Sequence, residues 1–135
     1  ASERIPVAVV GDGDYTMSSN ALWTAAANDI PLLVIVANNR AYFNDELHQQ
    51  RVAITRDREE ANAWVGQRID DPPPDLAMIA RGHGLGGEGP VEDLTELEGA
   101  LTRALNAVRG GQPYVLDVIV AREYVTQRLD GKRKS

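Results

Sequence analysis

The chain of 135 residues has no cysteine, so no disulfide framework holds it together. That fits a reducing compartment, and a cytoplasmic location is the expectation. A basic surplus is missing too: 14 Lys and Arg stand against 20 Asp and Glu, with a net charge of −6 and an isoelectric point near 4.8. An acidic balance argues against binding nucleic acid or an anionic membrane surface. The basic cluster Lys132-Arg133-Lys134 is too short to reverse it and reads as a frayed tail. No apolar stretch approaches the length of a membrane span, and no secretory signal opens the chain. Histidine is scarce, and His48 and His83 each lack a metal-ligand partner at useful spacing. No internal repeat or low-complexity tract is visible. What remains is one soluble globular domain, large enough for a real core.

Two apolar runs dominate what is there: Ile5-Pro6-Val7-Ala8-Val9-Val10 and Leu32-Leu33-Val34-Ile35-Val36-Ala37. Unbroken runs of this kind read as strands buried on both faces of a parallel sheet. Each is followed at once by a polar signal, Gly11-Asp12-Gly13 after the first and Asn38-Asn39 after the second. Residues 18–28 have room for one crossover helix between them. Asp12 and Asn39 therefore emerge at the carboxyl ends of two parallel strands, where open α/β sheets bind ligands. A carboxylate and a carboxamide supply hard oxygen ligands of the kind magnesium takes, with phosphates completing the octahedron. The glycines let backbone N–H groups approach a phosphate closely. The layout suits a metal-bridged diphosphate.

Gly-Asp-Gly followed at this separation by Asn-Asn resembles the signature of thiamine diphosphate enzymes. About residues 5–120 look like their diphosphate-binding domain, an α/β fold with a parallel sheet flanked by helices. The likeness is strongest to the acetolactate synthase and benzoylformate decarboxylase branch. It implies thiamine diphosphate and magnesium as cofactors, with the metal held by Asp12, Asn39 and the backbone carbonyl of Ala41. It also implies that Gly11, Asp12, Gly13, Asp14, Met17, Asn39, Ala41, Tyr42 and Phe43 lie against the cofactor. Asn44 follows as a further pocket residue. The substrate class it implies is a 2-oxo acid, decarboxylated or ligated to a second carbonyl compound. The activating glutamate comes from another domain in this family, so no catalytic residue is assigned here. Asp14 departs from the pattern, since many relatives carry Ser or Ala there. A carboxylate beside a diphosphate must turn away, as a cap on the following helix would do.

The resemblance also sets boundaries. Residues 1–121 read as the binding domain, truncated at its amino terminus, and 122–135 as a tail. The remaining N-terminal domains of the same enzyme are the expected partners, in a homodimer or homotetramer. Along the chain, Thr16, Ser18 and Ser19 offer N-caps to a helix through Leu22, Trp23 and Ala26, with Trp23, Leu22 and Met17 as packing residues. Tyr42 to His48 turns into a helix, on which Asp45-Glu46 offers a general acid pair, although charged residues on a helix are usually a solvated face. Residues 56–71 form a charged surface excursion, of a length often used for lids, closed by Pro72-Pro73-Pro74. Asp75 caps a helix through Leu76, Met78, Ile79 and Ala80. A glycine-rich turn and a short strand at Val91 follow. Asp93 or Thr95 then caps an amphipathic helix with Leu97, Leu101, Leu105 and Val108 on one face. Tyr114 begins the last strand.

Two other readings compete for the same residues. Gly82-His83-Gly84-Leu85-Gly86-Gly87 matches the dinucleotide pattern by letter, but it follows a helix where a strand is required. A nicotinamide-dependent dehydrogenase would also want a third glycine after Gly13 and an acid in place of Asn38-Asn39. A magnesium-binding receiver-like module would want a phosphorylatable aspartate where Asn39 stands.

Overall fold

The computed structural model describes residues 4–122. Its strands are β1 (Val7–Gly11), β2 (Leu33–Asn38), β3 (Gly86–Val91) and β4 (Tyr114–Ile119). All pair in parallel, in the order β1-β2-β4-β3. The central strands β2 and β4 bury both faces: Leu33, Val34, Val36, Val115 and Leu116 are all inside. β1 departs from the sequence expectation. It is an edge strand, and Val7 and Val9 are 52% and 68% exposed while Ala8 and Val10 face the core. An apolar run marks a strand but carries no information on how many elements cover it.

The connection from β1 to β2 is α1 (Asp12–Ser18), a 3-10 turn (Ser19–Ala21) and α2 (Leu22–Ala27). With α4 (Leu76–Gly82) they cover one sheet face, where Tyr15, Leu22, Leu76 and Ala80 meet Val34, Val36 and Val115. α5 (Leu94–Arg109) covers the other face over Leu33 and Leu116, the alternate side chains of the same strands. Its deepest residues are Ala100, Ala104 and Val108, flanked by Leu97, Leu101 and Leu105. Small side chains let a helix backbone approach a sheet, so alanines occupy the centre of the stripe that the leucines suggest.

Several local expectations change. The expected helix through Leu22, Trp23 and Ala26 is α2, but a second helix, α1, precedes it from Asp12, and no side chain caps either one. Thr16 and Ser18 instead donate their hydroxyls to the carbonyls of Gly13 and Asp14 one turn back. Asp14 sits exposed in the first turn of α1 and caps no following helix. Leu22 packs inward as expected, but Trp23 is 62% exposed. The glycine-rich turn is shorter than its composition suggests. α4 ends at Gly82, and Gly86 already pairs with Tyr114 in β3. Gly89, at φ 131°, lies so close to β4 that a Cβ would fall 2.5 Å from the Asp117 carbonyl oxygen.

Residues 56–71 contain no helix or strand, apart from the isolated bridge of Arg68 to Ala41. Their far end is fastened beneath the loop after β2. Tyr42 N–H donates to the Gln67 carbonyl at 2.8 Å, and Ile69 N–H to the Arg40 carbonyl at 2.9 Å. Glu46, at the start of α3 (Phe43–Thr55), is buried, not solvated. It receives two hydrogen bonds from the Arg68 guanidinium, at 2.8 and 3.0 Å. Lys132-Arg133-Lys134 lie outside the described residues.

Candidate functional site

The register of β1 on β2 pairs Gly11 with Ala37, which sets Asp12 and Asn39 side by side just beyond the two strand ends. Asp12 is 2% exposed. Its Oδ2 accepts the Ala41 N–H at 3.1 Å, and Asn39 Oδ1 accepts the same N–H at 3.0 Å. Two side-chain oxygens from different strands thus converge on one backbone donor. The turn that achieves this passes through Arg40 at φ 58°, a left-handed conformation uncommon for a residue with a side chain. Asn38 braces it from below. Its Oδ1 accepts the Arg40 N–H at 3.0 Å, and its amide donates to Asp117 Oδ1 at 3.0 Å.

Burial pushes the Asp12 carboxyl above its ordinary range, and the N–H groups of Asp12, Gly13, Ala41 and Asn39 pull it partly back. Burial also raises Asp117; the Asn38 amide opposes this, and the charge of Asp12 adds to it. Arg122 reaches the loop from the other side. Its guanidinium donates to the Asn39 carbonyl at 3.0 Å, the Arg40 carbonyl at 3.3 Å and Asp70 at 3.1 Å.

Above Asp12 opens a cleft of about 370 Å³. The structure brings Gly11, Asp12, Gly13, Asp14, Met17, Asn39, Ala41, Tyr42 and Phe43 to its wall, joined by Ala37, Asn44 and Asp45. Met17 is largely exposed on this wall and contributes little to the core. Gly13 leaves no room for a side chain, because a Cβ would fall 2.5 Å from the Tyr42 ring. The Tyr42 hydroxyl in turn lies 3.5 Å from Thr16 Oγ1. His48 is exposed on α3, and His83 ends α4; neither lines the cleft.

Sequence reasoning misses three contributors. Asp117 reads there only as part of a strand, although a lone carboxylate in an apolar run is itself a signal, since it must find a partner. Arg122 falls within the expected tail. The Glu46–Arg68 pair joins positions whose proximity only the fold reveals. Among the described residues, no group of three or more His, Cys, Asp and Glu side chains forms a metal cluster. A cation bound at Asp12 would therefore draw its other protein ligands from amide and carbonyl oxygens.

The family described as thiamine pyrophosphate enzyme, C-terminal TPP binding domain, matches residues 1–118. A 2-hydroxyacyl-CoA lyase of Oryza sativa subsp. japonica is 30% identical over 124 residues, covering 87% of this chain and 19% of that protein. Among solved structures, the thiamine diphosphate-dependent 4-hydroxybenzoylformate decarboxylase of Rhodococcus jostii RHA1 superposes with a TM-score of 0.65 at 25% identity. That match covers 88% of this chain and 20% of the other. The chain thus spans about a fifth of the relatives it matches. The chain belongs to the thiamine pyrophosphate enzymes and carries their C-terminal cofactor-binding domain.

Proposed function

We propose that the cleft holds the diphosphate of thiamine diphosphate through a magnesium ion bound by Asp12, Asn39 and the carbonyl of Ala41. The enzyme concerned is a 2-oxo acid decarboxylase or carboligase. The observation that carries the reading is the convergence of Asp12 Oδ2 and Asn39 Oδ1 on one N–H at the floor of the cleft. The donor set fits magnesium, which favours oxygen ligands and keeps substrate phosphates in its shell. It fits electrostatically as well, because a cation offsets the desolvation that raises Asp12.

When bound, thiamine diphosphate supplies a nucleophilic carbon and an electron sink for reactions beside a carbonyl group. The chain's own residues anchor and orient. Asp12 contributes the charged ligand, Gly13 gives the close approach, and Tyr42, Phe43 and Asn44 shape the wall beyond it. One relative is named a lyase and the other a decarboxylase, which favours bond cleavage as the reaction here. The activating glutamate and the rest of the substrate pocket come from other domains of the same enzyme, in a homodimer or homotetramer. Calorimetric titration of the full-length protein tests the reading. Thiamine diphosphate should bind with magnesium, lose most of its affinity in EDTA, and have no counterpart in NAD. Equal binding with and without magnesium would contradict it.

A further inference from the structure

Asp117 is the single charged residue of β4. It is 1% exposed and takes no part in lining the cleft above Asp12. A carboxylate inside a sheet is costly unless it is hydrogen-bonded, and here the Asn38 amide donates to it at 3.0 Å. That bond has a second consequence. With its nitrogen held toward Asp117, the Asn38 carboxamide presents Oδ1 in another direction, where it accepts the Arg40 N–H at 3.0 Å. Reversed, the amide would aim N–H groups at the Arg40 N–H, and donor would face donor. The Arg40 contact supports the left-handed turn at φ 58°. Directly after that turn, the Ala41 N–H meets Asp12 and Asn39 together.

We propose that Asp117 is a positioning residue for the metal: by fixing which way the Asn38 amide stands, it sets the turn that presents Asn39 and Ala41. The inference rests on the magnesium site proposed above. It adds a residue 79 positions from Asn38 in sequence, on a strand that contributes no ligand. Such outer partners typically control metal affinity without touching the metal.

The test titrates magnesium into the full-length protein at saturating thiamine diphosphate and follows thermal unfolding of the metal-free protein in parallel. Asp117→Leu removes the acceptor and should weaken magnesium by about 10- to 100-fold. Asp117→Ala makes the same test if leucine prevents folding. Asp117→Asn keeps an oxygen toward Asn38 and should recover most of the affinity. Asn38→Ala should lose affinity like Asp117→Leu, and the double variant should be no worse than the weaker single, because both act on one turn. If Asp117→Leu lowers only the melting temperature and titrates like the parent, while Asp12→Ala abolishes binding, this inference alone falls. Additive losses in the double variant also overturn it. A parent protein with no magnesium-dependent binding overturns the site and this inference together.

Discussion

α4 and α5 open with Asp75 and Asp93, whose side chains accept backbone N–H groups of their first turns at 2.7 and 2.8 Å. α1 and α3 open with Gly11 and Tyr42, and neither residue closes its helix with a side chain. The first pair stands apart from the cleft; the second pair borders it through residues 11–14 and 42–45. A helix start leaves backbone donors without intrahelical partners and carries a partial positive charge. At α4 and α5, which stand away from the cleft, the chain supplies an acceptor for those donors. Where it meets the cleft, α1 has no cap side chain, and the Asp12 carboxylate at its first position accepts the Ala41 N–H of the neighbouring loop. α2 also opens without a cap side chain, at Ala21, but it continues directly from the 3-10 turn and does not line the cleft. Among the helices that start from a loop or a strand end, the capped starts of α4 and α5 belong to the scaffold, and the uncapped starts of α1 and α3 face the proposed cofactor.

The largest expected effect comes from removing the buried carboxylate at the floor of the cleft. Asp12→Ala should weaken magnesium-dependent thiamine diphosphate binding by more than the roughly 100-fold typical of outer partners, with the far-ultraviolet spectrum unchanged. Giving α1 the cap it lacks should come next. Gly11 has φ −75°, and a Cβ added there would meet only ordinary contact, with Asp14 Oδ2 at 3.7 Å. Gly11→Ser should therefore change stability by only a few tenths of a kcal/mol while weakening the cofactor several-fold, because a hydroxyl then competes for the donors. Unchanged affinity in that variant would dissolve the contrast. Asp75→Ala should do the reverse, losing about 1 kcal/mol in denaturant melts and leaving cofactor affinity intact.

The last effect, on stability alone, concerns the link between the two kinds of helix. Tyr15, on α1, donates its hydroxyl to the carbonyl of Leu76 at the start of α4. Burial, with some help from Asp117, raises its pKa to about 12. The folded state keeps this proton where the unfolded chain would lose it. The stabilisation is therefore full below pH 10 and fades as the pH rises toward 12, at no more than about 1.4 kcal/mol per pH unit. Tyr15→Phe should lose about 1 kcal/mol at neutral pH and show a shallower decline in alkaline melts.

The same contrast explains what can be read in the sequence. Asp75 and Asp93 announce their helices because a cap is a local event within a few residues, and both are legible. The helix through Leu22, Trp23 and Ala26 is legible and is α2, whereas α1 is not foreseen, because Gly11-Asp12-Gly13 carries no capping signal and its glycine composition suggests a loop. The wall of the cleft is legible through the paired motifs, which lie at strand ends. Glu46, Asp117 and Arg122 are not, since each finds its partner across the fold, at separations of 22 to 83 residues. β1 is legible as a strand, but its exposed face depends on neighbours that no run of valines encodes.

Hydrogen–deuterium exchange on the full-length protein, with and without magnesium and thiamine diphosphate, tests the central claim most directly. The account predicts added protection at residues 12–16 and 41–46, with residues 76–80 and 94–98 unchanged. Protection confined to α4 or α5, or none at the first turns of α1 and α3, would contradict it.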